Sequence, residues 1–193
     1  MPFVDLAFKL IGTKIPVDHG YALYSALSRL LPEIHGARNV GVHPIRGTYS
    51  GNGELSLRNF SRLSFRLESE RTGDFLKIAG KQLDIDSHRL WVGIPEVRTL
   101  RPRAALYCRL VTIKGFMEPT AFLESAKKQV EKLNLNAEIR LGERRTFRLK
   151  DKQVVGFEMA ALDLDAEASL RLQENGLGGR RHMGCGVFVP FRT

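Results

Sequence analysis

Cysteine is scarce in this sequence of 193 residues, which holds only Cys108 and Cys185. Two cysteines are too few for a disulfide framework and give no cysteine-based metal site. Both lie in apolar, strand-like sequence, so we expect buried thiols. The chain also lacks an apolar run of about 18 residues and the basic and apolar regions of a secretory signal peptide. These absences favour the reducing cytoplasm and predict no membrane partner.

Cofactor and metal motifs are missing as well. No Gly-Lys-Ser or Gly-Lys-Thr follows the glycine-rich segment, which excludes a P-loop. That segment, residues 176–186, follows helix-like sequence and precedes a strand, whereas a dinucleotide-binding loop follows a first strand and precedes a helix. The histidines, cysteines and aspartates lack the spacing of a zinc site. We therefore predict neither a cofactor nor a metal.

Acidic residues are outnumbered, with 21 Asp and Glu against 30 Lys and Arg, which gives a formal net charge of +9. The excess is uneven: 13 basic residues face 10 acidic ones in residues 1–98, and 17 face 11 in residues 99–193. A positive balance of this size favours a polyanionic partner, most often nucleic acid. The alternative is a basic protein without such a partner.

One order of secondary-structure elements occurs twice along the chain. Apolar residues at every second position predict strands, and apolar residues at helical spacing predict helices. In the first half these patterns predict a strand at 3–10, a helix capped by Asp18, strands at 39–45 and 63–68, a short helix at 74–79 and a strand at 89–94. The second half repeats the order at residues 104–113, 119–133, 138–149, 154–162, 165–172 and 187–191. This βαββαβ order is that of the ferredoxin-like fold. We predict an α+β protein with two tandem ferredoxin-like domains, residues 1–98 and 99–193, with residues 95–103 as the linker.

The glycine-rich segment 176–186 has two Gly-x-Gly triplets that bracket five residues. Glycine tolerates a positive φ and lets the backbone approach another molecule closely, and consecutive N–H groups in such a loop can bind an anion. Arg180 and Arg181 add guanidinium groups suited to phosphate oxygens. The segment is therefore predicted to hold a polyanion, and a purely structural turn is the alternative.

The glycine segment and two further runs resemble a known family. Residues 155–158, Val-Gly-Phe-Glu, together with Gly-Val-Phe at 186–188 and Ile-Pro-Val at 15–17, are similar to the CRISPR-associated repeat-specific endoribonucleases of the RAMP superfamily. The resemblance covers nearly the whole chain. It implies a metal-independent cut within the repeats of precursor CRISPR RNA. The 2′-hydroxyl attacks the adjacent phosphate and leaves 2′,3′-cyclic phosphate and 5′-hydroxyl ends.

The same resemblance implies RNA as the partner, both as the precursor and as the mature CRISPR RNA. It leaves open whether other subunits of a CRISPR effector complex bind the chain, and whether the chain is a monomer or a weak homodimer. The alternative within the superfamily is a non-catalytic RNA-binding subunit of an effector complex, because the glycine motif does not separate enzymes that cut RNA from relatives that do not.

Proton transfer in this reaction needs an acid and a base, and histidine suits both roles because its ordinary pKa is near 6.5. His35 follows the first helix, where the family often places its catalytic histidine, so the resemblance implies a catalytic His35. His19 stands at the start of that helix, where some relatives carry a tyrosine, and is the second catalytic candidate. Tyr21 or Tyr24 could serve in its place.

RNA contacts are predicted in two places in the second domain. The glycine segment contributes Gly178, Gly179, Arg180, Arg181 and His182. A basic hairpin contributes Arg144 and Arg145, for which a solvated hairpin face is the alternative. His43 is expected to be a structural residue or a phosphate contact.

Overall fold

The computed structural model describes residues 2–37 and 39–191. The chain divides into two compact units, residues 1–99 and residues 100–193. In the described part of the chain, no helix has the length and apolar character needed to cross a membrane.

Unit 1 holds the first two helices and two antiparallel sheets. Its strands are β1 (Phe3–Ile11), β2 (Lys14–Pro16), β3 (Gly41–Val42), β4 (Thr48–Tyr49), β5 (Glu54–Ser56), β6 (Arg62–Glu68), β7 (Gln82–Ile85) and β8 (His88–Thr99). Its helices are α1 (Gly20–Leu30) and α2 (Thr72–Leu76), with 3₁₀ turns at Pro32–Ile34 and Ser69–Arg71. The larger sheet runs in the order β3-β6-β1-β8-β7, and the smaller in the order β2-β5-β4.

Alternation along β1 builds the core of unit 1. Leu6 and Phe8 are fully buried on one face of the sheet, where they belong to the same apolar cluster as Leu23 and Leu27 of α1. The preceding residue, Asp5, points to the opposite face, because successive strand residues alternate between faces. Helix α1 therefore lies against the apolar face of the sheet, and its position is fixed by that core.

Unit 2 repeats the order in one four-stranded sheet. Its strands are β9 (Leu106–Val111), β10 (Glu138–Leu149), β11 (Lys152–Leu162) and β12 (Val189–Pro190), and its helices are α3 (Pro119–Lys132) and α4 (Ala166–Asn175), followed by a 3₁₀ turn at Arg181–Met183. The sheet runs in the order β10-β11-β9-β12. Phe122 of α3 and Leu172 of α4 pack with Phe157 of β11 in one apolar cluster, so both helices cover the same face.

Both units thus place the strands of a βαββαβ repeat in the spatial order second, third, first, fourth, which is the ferredoxin-like arrangement and confirms the predicted fold class. Two local predictions were wrong. Strand β8 continues to Thr99 through part of the predicted linker, and Pro95 is tolerated because it lies opposite Phe8, next to a register shift. Helix α1 begins at Gly20 with His19 at the N-cap position, one residue beyond Asp18.

Candidate functional site

A tyrosine and a histidine meet at the surface of unit 1. The hydroxyl of Tyr24 lies 2.7 Å from Nδ1 of His35, within hydrogen-bonding distance. Their ring centroids are 5.4 Å apart and the rings are nearly perpendicular. His35 is exposed, and among residues 2–37 and 39–191 no protein group bonds its other ring nitrogen, Nε2. One ring nitrogen is therefore held by the protein, while the other is available to a bound molecule.

Buried neighbours hold this Tyr24–His35 pair in place. Tyr24 is on α1, packed against the core. A 3₁₀ turn follows α1, and both Leu31 before the turn and Ile34 at its end are fully buried. The backbone N–H of His35 closes the turn by donating to the carbonyl of Pro32 at 3.1 Å. The exposed imidazole of His35 thus follows directly on the buried Ile34, which limits how far the ring can move.

His19, the second catalytic candidate, has a buried ring, with only 2% of its surface exposed. Nε2 accepts a hydrogen bond from the backbone N–H of Ile45 at 3.0 Å, and Nδ1 lies 2.8 Å from the carbonyl oxygen of Pro16. These bonds put the ring proton on Nδ1. Both ring nitrogens of His19 are then hydrogen-bonded to backbone groups of the protein, and this geometry favours a structural role over a catalytic one. Of the two tyrosine alternatives, Tyr24 is the one that contacts His35.

His43 belongs to a buried ion-pair network on the other face of the sheet. Arg66 is 1% exposed and donates two hydrogen bonds of 2.8 Å to the carboxylate of Asp5, while Nε2 of His43 lies 3.1 Å from the same carboxylate. Burial alone would raise the pKa of Asp5, but His43 and Arg66 outweigh it and hold that pKa well below its usual range. Of the two roles predicted for His43, this contact favours the structural one.

The glycine segment of unit 2 is packed backbone against backbone. A Cβ on Gly178 would lie 2.4 Å from the carbonyl oxygen of Thr112, and one on Gly186 would lie 2.2 Å from that of Leu177. Both glycines also have a positive φ, 74° and 67°, which side chains disfavour. Glycine is therefore required here by the packing of the segment itself.

The backbone donors of this segment serve the protein. The N–H of Gly178 donates to Oε1 of Gln129 at 2.8 Å, and the N–H of Gly179 donates to the carbonyl of Thr112 at 2.9 Å. The N–H of Gly186 donates to the carbonyl of Leu110 at 2.8 Å. At these three positions the predicted anion-binding amides are committed to internal acceptors, so a bound anion would meet side chains or other amides of the segment.

The two arginines of the segment differ in exposure. Arg181 is 9% exposed, and its side chain lies against Gly176 and Gly186. Arg180 is more accessible and adopts a left-handed φ of 61°, a conformation that costs energy in a residue other than glycine and often marks a functional position. One of its guanidinium nitrogens lies 3.4 Å from the hydroxyl of Thr112. Arg180 and the partly exposed His182 are thus the better placed for a ligand.

The basic hairpin is formed by β10 and β11. Arg144 is exposed and makes no ion pair among the described residues. Arg145 is engaged with the carboxylates of Glu158 and Glu143. Burial alone would lower the pKa of Arg145, but the hydrogen bond that it donates to Glu158 and the nearby negative charges together outweigh burial and raise that pKa. Arg144 is therefore the freer of the two predicted contacts, and Arg145 also has a structural role.

Two charged residues of the buried network, Asp5 and Arg66, were not predicted from the sequence to have a role. Asp5 and Arg66 each stand in the middle of a strand, and they are direct cross-strand partners. A charge at the centre of an apolar strand signals a buried partner, but the register that pairs them depends on the sheet order.

Within the described residues, no cluster of three or more His, Cys, Asp or Glu side chains could hold a metal ion.

Solved structures resemble this fold. A CRISPR-associated protein Cas6 superposes with a TM-score of 0.71 at 14% identity, over 99% of both chains. A Cas6-related protein from Pyrococcus furiosus gives a TM-score of 0.71 at 15% identity, over 97% of this chain and 98% of the other. The CRISPR endoribonuclease Cse3, bound to a 19-nucleotide RNA, gives 0.55 at 11% identity over 98% of both chains. At these identities the likeness shows the fold.

Sequence comparisons go further. The sequence model of the Cas6 family, described as Cas6 Crispr, matches residues 4–193. The CRISPR-associated endonuclease Cas6 of Myxococcus xanthus strain DK1622 is 42% identical over 190 residues, which cover 98% of this chain and 82% of that protein. The predicted resemblance is confirmed, and the chain belongs to the Cas6 family of CRISPR-associated proteins.

Proposed function

We propose that this chain is a metal-independent endoribonuclease that cuts precursor CRISPR RNA within its repeats. The observation that carries the proposal is the exposed Tyr24–His35 pair, in which a protein hydroxyl holds one imidazole nitrogen and leaves the other accessible. Membership of the Cas6 family and a 42% identical relative that is named an endonuclease support it. The net charge of +9 suits an RNA substrate.

In the proposed reaction the ribose 2′-oxygen attacks the adjacent phosphorus and gives up its proton to a base. The bond between phosphorus and the 5′-oxygen breaks, and that oxygen takes a proton from an acid. The products are a 2′,3′-cyclic phosphate and a 5′-hydroxyl. His35 acts as the general acid or the general base through Nε2, and Tyr24 fixes the imidazole by its hydrogen bond to Nδ1.

Unit 2 supplies cations for RNA binding in this proposal. Arg180 and His182 of the glycine segment and Arg144 of the hairpin contact phosphates, because these side chains are exposed or partly exposed. Gly178 and Gly179 contribute by shaping the segment, since their N–H groups already have internal acceptors. A-form RNA is recognised largely through its shape and backbone, which suits scattered cations better than a pocket for one base.

Cleavage of end-labelled repeat RNA in excess EDTA tests the proposal. We expect the wild type to cut in EDTA, a 2′-deoxy substitution at the cut site to block cleavage, and His35→Ala to bind RNA while cutting on the order of 10²- to 10⁴-fold more slowly. Tyr24→Phe should also slow cleavage without weakening binding. Matched controls are His88→Gln and Tyr49→Phe, which change a histidine and a tyrosine outside the pair.

A substrate with sulfur in place of the bridging 5′-oxygen separates the two roles of His35. A thiolate leaves without protonation, so this substrate restores cleavage by His35→Ala if His35 is the acid and leaves it slow if His35 is the base. A wild-type protein that binds repeat RNA tightly but never cuts it would refute the proposal. The chain would then be a non-catalytic RNA-binding subunit.

A further inference from the structure

The sheet of unit 2 has one face that its own helices leave uncovered. Leu106 and Cys108 of β9 point into the core beneath α3 and α4, so the alternate residues Tyr107 and Arg109 lie on the opposite face. Tyr107 is the direct cross-strand partner of Ala160 on β11 and of Val189 on β12. We call this surface the open sheet face; the residues on it that matter here are Tyr107, Arg109, Arg145, Glu158 and Phe191.

Two aromatic rings stand together at one edge of the open sheet face. The ring centroids of Tyr107 and Phe191 are 5.9 Å apart, with an angle of 50° between the rings. Phe191 is 43% exposed. The neighbouring Ala160 projects no further than its methyl group, so flat apolar surface remains accessible beside the rings. Exposed aromatic rings on a sheet are stacking surfaces for unpaired bases.

Hydrogen bonds hold Tyr107 in position. Its hydroxyl bonds to the carboxylate of Glu158, which is also held by Arg145. Burial, reinforced by Glu158, raises the pKa of Tyr107 to about 12. The hydroxyl therefore stays protonated at physiological pH and continues to donate to Glu158, which fixes the plane of the ring.

The charges on this face favour an anionic ligand. Glu158 is neutralised by Arg145. Arg109 is exposed, and within residues 2–37 and 39–191 it makes no ion pair. Residues 99–193 carry 17 basic against 11 acidic residues. An apolar protein segment would leave the Arg109 charge without a counterion, whereas a nucleotide offers both a ring for Tyr107 and a phosphate for Arg109.

We infer that the open sheet face binds an unpaired nucleotide of the repeat RNA, with its base stacked on Tyr107 and Phe191 and its phosphate on Arg109. The nucleotide is unpaired because a base inside a duplex has both faces already stacked. This inference rests on the proposed RNA-processing function and adds a requirement for an unpaired nucleotide in the repeat RNA.

Binding of the full-length protein to a short unpaired RNA that carries 2-aminopurine tests the inference. Tyr107→Leu and Phe191→Leu are each expected to weaken binding about 5- to 150-fold, the effect of losing one stacking ring, and to abolish quenching of the 2-aminopurine. Arg109→Gln should reduce the slope of log affinity against log salt by about 0.7. Phe116→Leu is the matched control, because Phe116 is 38% exposed but lies outside the sheet.

Unchanged affinity for the unpaired RNA in both leucine variants would overturn the inference, and Tyr107→Phe, which keeps the ring, should bind more tightly than Tyr107→Leu. Circular dichroism identifies a variant that fails to fold, and Arg109→Gln, a surface change, then supplies the test. A change in oligomeric state without a change in RNA affinity would assign the face to a protein partner and would also overturn it. Cleavage of repeat RNA is measured separately, so loss of the proposed nuclease function and loss of this platform give different results.

Discussion

Asp5→Asn should destabilise unit 1 severely, because it removes the carboxylate charge that pairs with the buried Arg66 guanidinium. Arg66 is 1% exposed and its two bonds to Asp5 are both 2.8 Å long. Removal of one partner from a buried ion pair costs about 3–5 kcal/mol, which is a large part of the stability of a small domain. Asp86→Asn is the matched control: Asp86 is exposed and has a left-handed φ of 52°, which asparagine tolerates, so we expect a change within about 0.5 kcal/mol.

Urea unfolding followed by tryptophan fluorescence measures the effect in the correct unit, because Trp91 is the only tryptophan of the chain and lies on β8. The pKa of Asp5 is lower in the folded than in the unfolded state. Its stabilising contribution is therefore complete above the unfolded pKa of about 3.9 and is lost as the pH falls towards the folded pKa. The difference in free energy of unfolding between wild type and Asp5→Asn should thus shrink as the pH falls below about 4.

Arg66 and His43 contact the Asp5 carboxylate directly, and Arg98 is its cross-strand partner on β8. All three are basic residues, and contact with His43 and Arg66 is what lowers the pKa of Asp5. A destabilisation by Asp5→Asn of less than about 1 kcal/mol, or a difference that is independent of pH between 2 and 5, would refute the reasoning.

Three further predictions concern packing and RNA binding. Gly186→Ala should lower the free energy of unfolding by at least about 1–2 kcal/mol, the cost of a left-handed φ alone, and should lower the melting temperature accordingly. A melting curve like that of the wild type would contradict the close packing of this glycine. His19→Ala should cost about 1–3 kcal/mol in urea unfolding, because the N–H of Ile45 loses its acceptor, while RNA cleavage by the folded fraction persists. Arg180→Gln should weaken RNA binding and reduce its salt slope by about 1, whereas Arg181→Gln should mainly lower the melting temperature; equal effects on both properties would contradict the difference in burial.

The sequence predicts the long elements well and the short ones poorly. The bounds of β10 agree with the prediction at 138–149, and α3 agrees within one residue, because twelve or more residues show their periodicity clearly. The sheet of β2, β4 and β5 was not predicted as such. Its strands are two or three residues long, too short for alternation to be visible, and they depend on pairing with each other.

The candidate site, too, could be predicted from the sequence only in part. The position of His35 after the first helix indicated a role, but the sequence alone left Tyr21 and Tyr24 equivalent. The 3₁₀ turn at Pro32–Ile34 decides between them, since it brings His35 back to Tyr24 eleven residues earlier. The burial of His19 depends on a backbone N–H of Ile45, and no residue pattern reveals a backbone partner 26 residues away.

The packing of the glycine segment has a practical consequence for protein engineering. Gly178 and Gly186 are fixed by backbone contacts, whereas the side chains of Arg180 and His182 are partly exposed. A library randomised at Arg180 and His182 should therefore contain mostly folded proteins that differ in RNA affinity. The same library placed at the glycines should contain mostly unfolded ones.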